Sequence, residues 1–157
     1  SFITFYCKKI NKTLMTFQWI KFNDEDVENK GLVESGDESS GDRWLHIVRR
    51  NSKPYFAFFY DDLIGDTFLS ANKWWYLTFT WNATTKERKI YVNGILDASD
   101  ISSGLLTVTS GSATGEGVRI ARFYNSFLNG TMDEIIIYDR VLSEMEISTF
   151  YQKGLSR

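Results

Sequence analysis

The chain is poor in the residues that cross-link or catalyse. Its 157 residues include one cysteine, Cys7, one proline, Pro54, and one histidine, His46. A lone cysteine excludes any disulfide within the chain, and leaves open only pairing with a thiol elsewhere. Within the apolar run Phe2–Ile10, Cys7 reads as a small buried side chain on a strand. A lone histidine means that any Ser–His–Asp triad must use His46. That residue alternates with Trp44 and Val48 along a strand, and no Gly-X-Ser-X-Gly turn occurs. His46 therefore reads as a structural or surface side chain. No Cys/His pair has metal-ligand spacing, and Gly111–Gly117 lacks the lysine of a phosphate-binding loop. No apolar run approaches the roughly 18 residues that cross a bilayer, so direct membrane insertion is not expected. Charge of one sign is missing too. With 18 Lys and Arg against 20 Asp and Glu the net charge is −2, which gives no broad attraction for nucleic acid or an anionic membrane. The opening Ser1-Phe2-Ile3-Thr4-Phe5 has neither an initiator methionine nor a signal-peptide pattern, and we read the chain as one piece of a longer protein.

What is present is β-type sequence in an amount that fits one domain over residues 1–157. Aromatic residues make up 16% of the chain and come in short runs such as Trp74-Trp75-Tyr76, which suits a pleated surface. In Leu14–Phe22, Met15, Phe17 and Trp19 share one face, with Thr16 and Gln18 on the other. Trp44, His46, Val48 and Arg50 point one way from the next clear strand, while Leu45, Ile47 and Arg49 point the other. Further strands are expected at Gly31–Ser35, Tyr55–Tyr60, Trp74–Trp81, Lys89–Asn93, Val118–Arg122 and Met132–Tyr138. Polar loops are expected at 23–31, 36–42, 61–67, 97–104 and 110–117, and Asn93-Gly94 is the strongest tight-turn signal. The period changes at the C-terminus. Ser143 and Glu146 form a capping box, Leu142 and Ile147 a hydrophobic staple, and Gly154 is placed to stop a short helix. About ten closely spaced strands with one terminal helix predict an all-β, two-sheet antiparallel sandwich.

Two segments carry a family resemblance. Asn72-Lys73-Trp74-Trp75-Tyr76-Leu77-Thr78-Phe79-Thr80-Trp81, followed by Arg88-Lys89-Ile90-Tyr91-Val92-Asn93-Gly94, resembles the Trp-led hairpin of laminin-G-like and pentraxin-like domains. Leu128 to Ile147 (LNGTMDEIIIYDRVLSEMEI) is similar to the closing cassette of the same domains, and Leu14–Trp19 fits an upstream strand. The resemblance runs from about Leu14 to Tyr151 and implies a jelly roll of the concanavalin A-like kind. It also implies a recognition module of an extracellular or cell-surface protein, taking a carbohydrate or glycoprotein ligand. The alternatives are a structural domain packing against copies or sister domains in a filament, fibre or adhesin, and a glycoside hydrolase of the glucanase type.

Candidate sites follow from side-chain chemistry and from that resemblance. Glucanases of the superfamily place carboxylates at alternating strand positions. Asp24, Asp26 and Glu28 have that spacing, but without apolar residues between them they read as a solvated loop, and the chain is not expected to be an enzyme. Sugar binding needs an aromatic platform flanked by amides and carboxylates. Trp44, Asp42, Tyr124 and Asn125 are the ligand-binding candidates, with Trp75, Tyr55 and Tyr60 further possibilities by type. The resemblance implies a structural calcium near Asp133, held together with backbone carbonyls and N-terminal acidic residues, since calcium takes six to eight oxygens and one aspartate cannot supply them. Ligand-binding calcium of the pentraxin type would need loop acids such as Asp37, Glu38 and Asp42, or Asp97 and Asp100. Three Asn-X-Ser/Thr sequons, at Asn11, Asn82 and Asn129, fall at expected turns or strand edges and suit a secreted glycoprotein.

Overall fold

The computed structural model describes residues 14–25, 28–36, 44–106 and 118–156. Cys7, the Asn11 sequon, Asp26, the acids Asp37, Glu38 and Asp42, and Gly111–Gly117 lie outside the described residues. Among the described residues twelve strands and one helix follow one another. They are β1 (Leu14–Phe22), β2 (Lys30–Gly36), β3 (Trp44–Arg50), β4 (Lys53–Ala57), β5 (Asp62–Ile64) and β6 (Trp74–Trp81). After them come β7 (Glu87–Val92), β8 (Ile95–Ile101), β9 (Arg119–Ile120), β10 (Arg122–Phe123), β11 (Ser126–Phe127), β12 (Gly130–Tyr138) and α1 (Glu144–Leu155). A five-stranded sheet in the order β12-β1-β6-β7-β8 faces a second in the order β5-β4-β3-β2-β9, with β10 and β11 as a separate small hairpin. The pairings are antiparallel throughout. This is the predicted jelly-roll sandwich.

The alternation decides which side of each strand faces the core. Leu45 and Ile47 of β3, Phe56 of β4, Ile20 and Phe22 of β1 and Leu77, Phe79 and Trp81 of β6 meet between the sheets. Burying side chains of this size contributes about 1.5–3 kcal/mol each. Arg49 shares the inward face of β3, as its position predicts, and is fully buried. Its guanidinium donates to the Leu69 carbonyl (3.2 Å) and Ser52 Oγ (2.9 Å) and lies over the Phe22 ring. The second buried arginine, Arg88, is clasped by Asp100 at 2.9 and 2.6 Å and by the Asp61 carboxylate and carbonyl at 2.7 Å each.

The outer face of the first sheet is closed by α1. Met15, Phe17, Tyr76 and Tyr91 form a second apolar cluster with Leu142 and Ile147, and with Trp19, Phe150 and Tyr151 at its edge. Ser143 caps the helix, and the Glu146 carboxylate accepts the Ser143 N–H at 2.8 Å, completing the capping box. Gly154 differs from expectation. It lies inside the helix, and a Cβ there would stand 2.5 Å from Trp19 Nε1, so the glycine serves close approach and the helix runs on to Leu155.

Two loop expectations and one strand expectation are corrected. The polar run expected at 97–104 begins inside β8, whose acids are turned to structural use: Asp97 accepts the N–H groups of Asp66 (3.0 Å) and Thr67 (3.1 Å), and Asp100 holds Arg88. The loop expected at 61–67 contains β5, paired with β4. The expected strand Val118–Arg122 breaks at Ala121 (φ 60°), so that β9 joins the second sheet while β10 turns into the separate hairpin. Asn93 and Gly94 take positive φ (53° and 77°), as a tight hairpin turn requires.

Candidate functional site

The outer face of the second sheet is not covered by the helix. There β3 presents Trp44, His46, Val48 and Arg50, and β4 presents Tyr55 and Ala57, while β10 lays Phe123 against them. The Trp44 and Phe123 rings stack with centroids 5.0 Å apart and planes 5° apart. His46 sits 5.1 Å from Trp44 and 5.3 Å from Phe123 and stacks on Tyr55 at 6.1 Å.

Phe123 reaches this position because Gly31 lets the backbone of β10 cross β2. A Cβ on Gly31 would lie 2.0 Å from the Arg122 carbonyl carbon and 2.3 Å from the Phe123 nitrogen. The turn after Phe123 is pinned from beneath. Glu34, fully buried on β2, pairs with Arg119 at 2.7 Å and accepts the Tyr124 N–H at 3.1 Å. Burial pushes the Glu34 carboxyl above its ordinary value, opposed by the Tyr124 N–H, Arg119, Arg122 and Trp44. Tyr124 itself has φ 53° and is 54% exposed.

The opposite rim carries a strained pair of its own. Phe59 and Tyr60 both have φ of 63°, their rings are 4.2 Å apart, and Tyr60 is 86% exposed. Left-handed backbone at bulky non-glycine residues costs roughly 1–3 kcal/mol each and is concentrated at binding sites.

Between these rims lies a groove of about 340 Å³, lined by Asn29, Trp44, His46, Arg50, Phe59, Tyr60, Asp62, Phe123 and Tyr124. Its polar groups are oriented. The Arg50 guanidinium lies 4.0 Å from the Tyr55 ring centre and donates through Nε to Asn29 Oδ1 at 2.6 Å. The Tyr55 hydroxyl donates to Asp62 Oδ2 at 2.5 Å. Burial, then that hydrogen bond, pushes the phenol up to about 12. Burial lowers the His46 pKa to about 4, with Asp62 opposing and Arg50 assisting, so at neutral pH its ring is uncharged. A second depression of about 440 Å³, lined by Glu28, Asn29, Phe123, Tyr124, Asn125 and Ser126, adjoins the first.

Of the expected ligand-binding residues, Trp44, Tyr124 and Asn125 come together here. Trp44 is 6% exposed and forms part of the floor instead of an open platform. Asp42 is outside the described residues. Of the further aromatics, Tyr60 lines the groove, and Tyr55 supports Arg50 and Asp62 beside it, whereas Trp75 is in the core. Asn29, Arg50, Asp62 and Phe123 were not singled out by sequence. The outward alternation of Arg50 with Trp44 was the available signal. Asn29 and Asp62 sat in polar runs with nothing to distinguish them from solvated loop.

Asp133 is exposed, and its Oδ1 accepts the Glu134 N–H at 2.8 Å. Among the described residues no group of three Asp, Glu, His or Cys side chains is placed to hold a metal. Two of the three carboxylates with glucanase-like spacing, Asp24 and Glu28, are described, while Asp26 is not. Asp24 accepts Asn129 Nδ2 at 2.7 Å, and Glu28 pairs with Lys30 at 3.8 Å, and neither of these two described residues lies in a strand. Both described sequons have their asparagine in a connection between strands. The Asn82 side chain accepts the Thr84 N–H at 2.9 Å in the β6–β7 connection, and Asn129 precedes β12.

Comparison with known proteins fits this architecture. The chain resembles a Bacteroides ovatus ATCC 8483 protein assigned provisionally to carbohydrate binding (16% identity, TM-score 0.73), covering 94% of this chain and 43% of that one. It resembles domain 4 of the extracellular GH43 arabinanase AbnA of Geobacillus stearothermophilus, solved with arabinotriose (17% identity, TM-score 0.68, 93% and 68% covered). It is also similar to a botulinum neurotoxin type C structure from work on cell entry through two ganglioside molecules (16% identity, TM-score 0.67, 93% and 37% covered). At these identities the likeness is one of fold, and the chain spans less than half the length of the first and third. No curated protein sequence matches. A model of the laminin-G-type family matches residues 11–148, which takes in both quoted segments, both sheets and the start of α1. The chain therefore belongs to the concanavalin A-like lectin/glucanases superfamily.

Proposed function

We propose that this chain is a non-catalytic carbohydrate-recognition module of an extracellular or cell-surface protein, and that the groove on the outer face of the second sheet holds the glycan. The observation that carries the reading is the convergence of two exposed tyrosines, Tyr60 and Tyr124, with Asn29, Arg50 and Asp62 over the Trp44–Phe123 stack. A sugar offers an apolar C–H face and an edge of hydroxyls. Aromatic rims beside fixed amide, guanidinium and carboxylate groups answer both. The relatives solved with arabinotriose or linked to gangliosides support the same ligand class. Asp62 is the one carboxylate among the described residues lining this groove and Glu28 lies in the adjoining depression, so the pair that glycoside hydrolysis uses is not gathered in one groove, which favours recognition over turnover.

A glycan array probed with and without calcium tests this. Hits that weaken in Asp62→Asn are expected, because Asp62 is the carboxylate lining the groove, and the calcium-free arm shows whether the ion takes part. An array without hits sinks the reading. A specific feature favours the structural reading as second choice: on and after the edge strand β8, Ile95, Ile101 and Leu105 are 72%, 65% and 48% exposed. That reading predicts concentration-dependent assembly by sedimentation, lost on Ile95→Ser/Ile101→Ser.

A further inference from the structure

The two depressions on this face share Asn29, Phe123 and Tyr124. Tyr124 thus borders both, as a ridge between them with more than half its surface exposed. The depressions differ in chemistry. One offers Arg50, Asp62 and the Tyr60 ring. The other offers the Asn125 amide, the Ser126 hydroxyl and the Glu28 carboxylate, with no aromatic ring of its own beyond the shared pair among its described residues.

The ridge is built to stay where it is. The Glu34 carboxylate holds the Tyr124 N–H from below, and Arg122 Nε donates to the Tyr124 carbonyl at 2.8 Å. With both backbone groups held, the turn offers the exposed Tyr124 side chain without the entropy cost of ordering a free loop.

From this we infer that the module reads an internal stretch of a linear oligosaccharide, with sugar units on both sides of Tyr124, and not a single terminal sugar. The inference rests on the carbohydrate reading above and extends it to ligand length. Volumes of about 340 and 440 Å³ each accommodate at least one sugar ring. A chain that fills one depression brings its next units to the other at an effective concentration in the millimolar range, so affinity rises steeply once the ridge is crossed.

The test is a titration by calorimetry with arabino-, xylo-, cello- and manno-oligosaccharides of one to five units. For at least one series the affinity is expected to climb about tenfold or more between one and three units and then level off. The variant Tyr124→Asn removes the ring while keeping a residue that tolerates the left-handed backbone of this turn. It is expected to flatten that climb, costing the longer sugars more than the single sugar. Equal affinity for one unit and for five overturns the bridging inference while leaving carbohydrate recognition standing. So does a loss in Tyr124→Asn that is the same at every length. Failure of all four series to bind overturns the inference, and the array decides whether carbohydrate recognition falls with it. Should the variant not fold, the wild-type length series alone decides.

Discussion

At the scale of single residues, the fold takes polar groups inside and makes them depend on one another. His46 is the clearest case. Its pKa is about 4 in the folded chain against 6.5 unfolded, because burial disfavours the imidazolium more than Asp62 favours it. A base depressed in this way leaves stability intact above the unfolded value and removes it as pH falls from 6.5 towards 4. At about 1.4 kcal/mol per pH unit over that window, the loss is about 3 kcal/mol. Urea unfolding followed from pH 7 to pH 4 should show this decline, and His46→Phe should flatten the part belonging to the imidazole. Arg88 makes the complementary point. Its guanidinium is the shared partner of Asp61 and Asp100, and Arg88→Ala strands both carboxylates in a part-buried site. We expect a loss of about 3–5 kcal/mol in denaturant unfolding. A loss below about 1 kcal/mol would show the cluster to be solvated and incidental.

At the scale of elements, strand alternation revealed the cores, and the exceptions have physical causes. Leu45, Ile47 and Arg49 share the face the period assigns them, and the capping box at Ser143 starts the helix where its residues say it must. The strand β8 was hidden because its aspartates make it look like a loop until their partners, Thr67 and Arg88, are known. No local pattern announces those partners, since they are 30 and 12 residues away. The same holds at the groove. Trp44, Tyr124 and Asn125 were visible as residue types, but Asn29 and Asp62 gain their meaning only from strand pairing that sets them beside Arg50 and Tyr55. Gly154 shows one residue type serving two ends: near a C-terminus glycine suggests a stop, yet here Trp19 requires it. Gly31 is the element-scale test. Gly31→Ala pushes a methyl into the Arg122–Phe123 backbone, so β10 and β11 must lift away from β2. The expected outcome is a loss of about 1–3 kcal/mol in stability together with weakened glycan binding. If stability falls while affinity holds, Phe123 and Tyr124 are not part of the site.

At the scale of the whole molecule, the two sheets have different outer faces. One is roofed by α1 and the other carries the groove. Deleting residues 143–157 uncovers Met15, Phe17, Tyr76 and Tyr91 together, an apolar patch of the kind that drives association. We expect the truncated chain to bind a hydrophobic dye and to self-associate in sedimentation, whereas Ser143→Ala alone costs about 1 kcal/mol and leaves it monodisperse. No dye binding by the truncated chain would mean that the helix is an ornament on an already closed sandwich.

The roofed face also fixes how the molecule can be handled. Lys153, exposed on the last turn of α1, lies on the far side of both sheets from Tyr60 and Tyr124. A dye, biotin or surface linkage attached there leaves the aromatic rims pointing outward. The domain is thereby suited to oriented display, with its helix as the mounting side and its grooved sheet turned to the sample.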